Sequence, residues 1–188
     1  MNNDRILINK LKSFENINST LLNILLVLFG TLLLAISAKV QVPFWPVPMT
    51  MQTFVIFLIG MTYSIRLSFA TVAMYLFEGA AGLPVFASGG GIAYLIGPTA
   101  GYLYGMLFAS IVISYLANLG FSKSYFKATL SLLLGAIIIF AFGIIYLGSI
   151  IGFEKAIVAG LLPFIPSEIF KIALAVTLIP TIQKVISK

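Results

Sequence analysis

Glu168 and Lys171 are two ionisable residues inside an apolar run near the C-terminus, Pro166-Ser167-Glu168-Ile169-Phe170-Lys171-Ile172-Ala173-Leu174. Charged side chains in such runs are costly, and they usually mark a binding or transport site. Three residues apart, the two project from nearly one face of a helix, in a stripe with Phe164 and Ala175. A carboxylate beside an ammonium lowers the cost of keeping each charged. The pair offers an acceptor for ligand N–H groups and a donor for a carbonyl or carboxylate. The blander alternatives are a pair that satisfies only itself, or a lysine snorkelling to the membrane surface. Lys171 falls within about 10 Å of the helix start at Pro166.

A second candidate is the loop Ala87-Ser88-Gly89-Gly90-Gly91-Ile92-Ala93-Tyr94-Leu95-Ile96-Gly97-Pro98-Thr99. Consecutive glycines permit positive φ and close backbone approach to a ligand. They would also let the loop move as a lid, or serve only as a connector. No Gly-Lys-Ser/Thr follows, so this is not a phosphate loop. Trp45, the sole tryptophan, would either stack over a ligand or sit in an interfacial aromatic belt. Thr50 and Gln52 open a helix and offer neutral hydrogen bonds. Glu78 reads as a helix-end carboxylate near water. Thr31 and Ala35 form a small-xxx-small step, followed by Ser37 and Ala38. Such a step packs helices closely, within the bundle or against a partner.

Other chemistries are missing. The chain has no Cys and no His, which removes disulfides, thiolate nucleophiles, imidazole bases and His-based metal sites. No Walker A sequence is present, so ATP hydrolysis would fall to other subunits. No cofactor is expected. The net charge of +6 comes from bases scattered between apolar runs. They read as topology signals and not as a nucleic-acid surface.

The elements that position these residues follow from composition. The 188 residues are 61% hydrophobic and 9% charged, with mean hydropathy +1.13. Soluble domains carry about 25% charged residues, so a buried core does not explain the pattern. A spanning helix needs about 20 apolar residues. The apolar runs predict helices at 21–42, 51–63, 67–78, 99–119, 128–150 and 166–186, after a polar segment 1–18 that lacks the form of a secretory signal. Pro43, Pro46 and Pro48 end the first run. Splitting the second run at Arg66 puts Arg5, Lys10, Lys12, Arg66, Lys123, Lys127, Lys184 and Lys188 on one side. Lys39 and Lys155 are left opposite, and the positive-inside rule favours this split. The expected fold is an all-α integral membrane protein of six transmembrane helices in one domain. Both termini lie in the cytoplasm, and a Gly-rich outer loop acts as lid. The outer connections 43–48, 79–98 and 160–166 are rich in Pro, Gly and aromatics, and irregular backbone there must line a cavity or be buried in protein.

Several of these stretches, taken in order, resemble one family. They are Val42-Pro43-Phe44-Trp45-Pro46-Val47-Pro48-Met49-Thr50-Met51-Gln52-Thr53, then Gly82-Leu83-Pro84-Val85-Phe86-Ala87, Gly89-Gly90-Gly91 and Gly97-Pro98-Thr99-Ala100-Gly101-Tyr102-Leu103. The last is Pro163-Phe164-Ile165-Pro166-Ser167-Glu168-Ile169-Phe170-Lys171. Together they resemble the BioY proteins, the biotin-specific substrate-binding (S) components of energy-coupling factor (ECF) transporters. The resemblance implies an outward-facing biotin pocket in a bacterial plasma membrane, closed by loop 82–98. It implies that Glu168 and Lys171 contact the polar part of biotin, with Ser88, Gly90, Gly91, Tyr94, Trp45 and Gln52 as further contacts. The family more often carries Asp at the position of Glu168. It also implies docking of the first helix, here Thr31, Ala35 and Ala38, onto a transmembrane coupling protein energised by two ABC-type ATPases.

The leading expectation is a biotin-binding membrane subunit of an ATP-dependent uptake transporter. The alternative is a stand-alone secondary transporter of biotin or a similar small organic acid. That reading wants proton-relay carboxylates deep in several helices, whereas Glu168 and Glu78 both fall at the outer side. An intramembrane enzyme lacks the residues it would need.

Overall fold

A computed structural model describes residues 19–186, without the side chains of residue 180 and residues 182–186. Arg5, Lys10, Lys12 and Lys188, which entered the topology argument, lie outside the described residues, as does the side chain of Lys184.

The first helix, α1 (Ser19–Lys39), leads into a two-residue strand β1 (Gln41–Val42). β1 pairs antiparallel with β2 (Met49–Thr50), Gln41 opposite Thr50 and Val42 opposite Met49. Prediction extended the first helix to residue 42. The structure ends it at Lys39, because the prolines at 43, 46 and 48 hold the chain extended and the small hairpin absorbs the backbone groups of Gln41 and Val42. Then come α2 (Gln52–Thr62) and α3 (Ile65–Ala80). Arg66 lies in the first turn of α3, whereas the sequence reading put it in the connection. The long segment 81–99 contains a 3-10 turn, Ile92–Ile96. Helix α4 (Ala100–Asn118) and helix α5 (Tyr125–Ile151) form a hairpin around a second 3-10 turn, Phe121–Lys123.

The connection expected at 150–166 contains a helix the sequence reading did not predict, α6 (Phe153–Gly160), then a 3-10 turn Leu162–Phe164 and α7 (Ile165–Ile186). Gly152 separates α5 from α6 at φ +89°, a conformation that residues with a Cβ avoid. Pro163 and Pro166 dominated the reading of that stretch. Yet Pro166 sits in the first turn of α7, where the missing N–H costs little.

Four stretches among the described residues are long and apolar enough to cross a membrane: Ser19–Lys39, Ala100–Asn118, Tyr125–Ile151 and Phe153–Ile179; Gln52–Thr62 is a shorter apolar helix. α4 and α5 pack with backbones close together. A Cβ at Gly105 would meet the Ile139 backbone at 2.8 Å, and one at Gly143 would meet the Tyr102 ring at 2.3 Å. Without a hydrophobic drive between helices in lipid, such close van der Waals packing holds a bundle together. The core runs through Leu34, Phe57, Met61, Tyr75, Phe86, Ile113, Leu132 and Ile139. Leucines, isoleucines and phenylalanines cover the outside, among them Leu25, Phe29, Leu32, Ile137 and Ile169, an arrangement suited to lipid and not to water.

Candidate functional site

Phe164, at the end of the preceding 3-10 turn, and Glu168 and Lys171 in the start of α7 recur at four- and three-residue spacing, so their side chains leave one face together. That face packs on the start of α2. Here the Lys171 ammonium is almost fully buried, and its surroundings are specific. It donates to Glu168 Oε1 at 2.6 Å, to Thr53 Oγ1 at 3.0 Å and to the backbone carbonyl of Thr50 at 2.8 Å. An ammonium has three donors, so the protein itself fills them all. Thr53 closes the triangle by donating its hydroxyl to Glu168 Oε1 at 2.7 Å.

The second carboxylate oxygen is different. Glu168 Oε2 is buried and has no hydrogen-bond partner among the described residues. A buried charged acceptor is costly to leave unmatched. Its partner oxygen is pinned by two donors, so the free lone pairs keep a fixed direction. The site therefore presents one oriented anionic acceptor.

Glu168 and Lys171 line a cavity with Val47, Pro48, Thr50, Gln52, Thr53, Phe86, Ala87, Tyr94, Thr99, Tyr102, Leu103, Met106, Ile139, Phe140 and Phe164. Its far side is aromatic. Tyr102 stacks on Phe164 with centroids 6.4 Å apart and planes 21° apart, and Phe140 meets both edge-on at 6.0 and 5.9 Å. The Tyr102 hydroxyl donates to the carbonyl of Gly160 at 2.8 Å, which fixes the ring. An apolar aromatic chamber with one oriented polar group suits a small, mostly apolar ligand that carries an N–H.

Segment 81–99 covers this chamber through Phe86. The Phe86 ring is fully buried, stacks on Tyr94 at 4.8 Å and meets Tyr75 edge-on at 5.4 Å. It reaches α3 only because Gly79 has no Cβ, which would lie 2.0 Å from the ring. Three donors from three elements hold the adjoining carbonyls. Tyr75 Oη bonds Val85 at 2.9 Å, Lys39 Nζ bonds Phe86 at 2.6 Å and Gln41 Nε2 reaches Ala87 at 3.4 Å. Tyr75 also accepts from Gln52 Nε2 at 2.8 Å, and Gln52 Oε1 accepts from Thr50 at 3.0 Å. A chain of hydrogen bonds thus runs from the wall of the chamber to its cover. The water-accessible volume of the chamber is about 40 Å³. That is room for a few water molecules, at about 10–15 Å³ each by this measure.

The structure brings together Glu168, Lys171, Thr50, Gln52 and Tyr94 of the residues singled out from sequence. It places the others elsewhere. Trp45 is 86% exposed and lies by the ends of α5 and α6, beside Ile150 and Lys155. Ser88 is exposed at the tip of a tight turn closed by Phe86 and Gly89. Gly90 and Gly91 serve the fold of the segment. A Cβ on Gly90 would strike the Leu83 carbonyl oxygen at 2.1 Å, and Gly91 has φ +98° while its N–H bonds Gly79 at 2.7 Å. On α1, Thr31 and Ala38 are buried inside the bundle, and Ala35 is partly buried against the core. That face of α1 packs on α3, where a Cβ at Gly30 would meet Thr71 at 2.4 Å, so the small-residue step is used within the chain. Sequence reasoning did not single out Thr53, Tyr75, Phe86, Tyr102 and Phe140. Thr53, Phe86 and Tyr102 fall within the stretches that carry the family resemblance, whereas Tyr75 and Phe140 left no such signal.

Comparison with known proteins is decisive for the family. The BioY family model matches residues 10–188. This chain belongs to the BioY family. A probable biotin transporter BioY of Rickettsia prowazekii is 35% identical over 88% of this chain and 85% of its own length. The relative from Pyrococcus horikoshii, also named a probable biotin transporter BioY, is 37% identical over 80% of this chain and 90% of its own. Among solved structures, the S-component for biotin from an ECF-type ABC transporter superposes with TM-score 0.78. That structure is 27% identical and covers 90% of this chain and 95% of its own.

Proposed function

We propose that this BioY-family chain is the biotin-binding S component of an ECF-type uptake transporter. The observation that carries the reading is Glu168 Oε2, a buried acceptor with no hydrogen-bond partner among the described residues, on a residue that lines an aromatic chamber. A ureido N–H of biotin bonds this oxygen, and the charge-assisted contact supplies about 1.5–3 kcal/mol. The fused rings and their thioether lie among Tyr94, Tyr102, Phe140 and Phe164, where aromatic edges favour sulfur. Lys171 acts by holding Glu168, because its own donors are already filled. The present chamber is smaller than biotin, so Phe86 and Tyr94 withdraw to admit the ligand and then close on it.

In this reading the bundle crosses a bacterial plasma membrane six times, with both termini cytoplasmic. α1, α2, α3, α4, α5 and α7 are the crossings, and α6 lies at the outer surface. The aromatic chamber opens outward. A transmembrane coupling protein and two ABC-type ATPases drive release inward, since the chain carries no Walker A sequence.

Uptake in proteoliposomes tests the assignment. Radiolabelled biotin should bind to vesicles holding this chain alone but accumulate only with the coupling protein, the ATPases and ATP. Accumulation by the chain alone under an ion gradient would establish a secondary carrier instead.

A further inference from the structure

A larger, more open concavity lies at the end of the bundle away from the chamber. It is a trough of about 770 Å³ between α1 and α3, lined by Asn23, Ile24, Val27, Leu28, Ser64, Ile65, Arg66, Leu67, Ala70, Met74 and Asn118. Its two ends differ in chemistry. At one end Arg66, Asn23, Asn118 and Ser64 converge from α1, the start of α3 and the end of α4. The Arg66 side chain is exposed, and among the described residues it makes no ion pair.

From that polar end an apolar channel runs along the helices. On α3, Arg66, Ala70 and Met74 succeed one another at four-residue spacing, so they line about 12 Å of one face. Ala70 supplies the depth. Ile24, Val27 and Leu28 of α1 form the opposite wall. Lys123 and Lys127, in and just after the turn that follows Asn118, add positive charge at the same end of the bundle.

We propose that this trough is a binding site for an anionic phospholipid. The phosphate sits at Arg66 with Asn23 and Asn118 as neutral donors, and one acyl chain lies between α1 and α3. Charge complementarity selects the occupant. A cation with uncharged donors at the mouth of an apolar channel matches a molecule with an anionic head and a hydrocarbon tail, and the chain is embedded where such molecules are abundant. A docking protein helix would need its own carboxylate to match Arg66. The inference does not depend on the biotin reading, because no residue of the trough lines the chamber.

Native mass spectrometry of the full chain, released from mixed micelles of phosphatidylglycerol and phosphatidylcholine, tests it. One phosphatidylglycerol should be retained in preference by about fivefold or more, as one basic residue near an anionic head group provides. Arg66→Gln should abolish that preference, and Ala70→Trp should reduce retention of both lipids by filling the channel. Biotin binding by both variants should be unchanged and shows that they are folded. Equal retention of the two lipids by the unaltered chain would overturn the proposal, as would an unaltered preference in Arg66→Gln. If the variants instead keep their lipid but lose assembly with the coupling protein, the trough is a protein-docking surface and the lipid assignment is wrong.

Discussion

Replacing Glu168 by Gln keeps the side chain's size while altering its two terminal positions differently. The atom in the place of Oε1 remains a carbonyl oxygen and still accepts from Lys171 and Thr53, which the structure places at 2.6 and 2.7 Å. The atom in the place of Oε2 becomes an NH₂ group. A buried acceptor without a partner turns into a donor, and a ligand N–H would then face another N–H. The loss is at least one charge-assisted hydrogen bond, about 1.5–3 kcal/mol. Biotin affinity should therefore fall about 10- to 150-fold. Stability should fall as well, because removing one partner of a buried ion pair leaves the other uncompensated, at about 3–5 kcal/mol. Isothermal titration of the detergent-purified variant measures affinity, and a melting curve on the same sample shows how much protein is folded. If folded Glu168→Gln binds biotin as tightly as the parent, Oε2 is not the ligand's acceptor and the reasoning fails.

Trp45→Ala should change biotin affinity less than about twofold, since an exposed side chain outside the chamber contributes little; titration checks this. Gly79→Ala opposes the Phe86 ring at 2.0 Å and should lower the melting point through an overpacking cost of about 1–3 kcal/mol, with faster biotin dissociation in a filter-binding chase. Tyr75→Phe cuts the link between Gln52 and the Val85 carbonyl. It should weaken binding by about 1 kcal/mol and raise amide hydrogen exchange across residues 81–99. Thr53→Val removes the hydroxyl that joins Lys171 to Glu168 and should reduce biotin affinity several-fold, while Thr53→Ser restores it.

The long apolar runs are legible in the sequence because lipid imposes one solution, a helix that satisfies its own backbone. The Glu168–Lys171 pair is legible for the same reason, since charge amid Ile, Phe and Leu stands out. Glycine and tryptophan left two readings open. The run Gly89-Gly90-Gly91 reads as a lid, a pocket wall or a connector, and in the structure its lack of side chains lets the segment fold against Leu83 and Gly79. Trp45 reads equally as a stacking platform or an aromatic-belt residue, and its exposure outside the chamber fits the second. Phe86 is one phenylalanine among 16, and only tertiary packing shows that it covers the chamber. Helix α6 stayed hidden because Gly152, Gly160 and Pro163 bracket it, and those residues signal a loop when no neighbour is visible. The free oxygen of Glu168 is a property of three-dimensional hydrogen bonding and has no one-dimensional trace.

Biotin binding by the purified full chain is the most direct test of the central claim. Calorimetry in detergent, with riboflavin and thiamine as controls, should show saturable one-site binding of biotin alone and a negative heat-capacity change from burial in the aromatic chamber. A folded sample that gives no heat with biotin, or responds equally to the controls, would contradict the account.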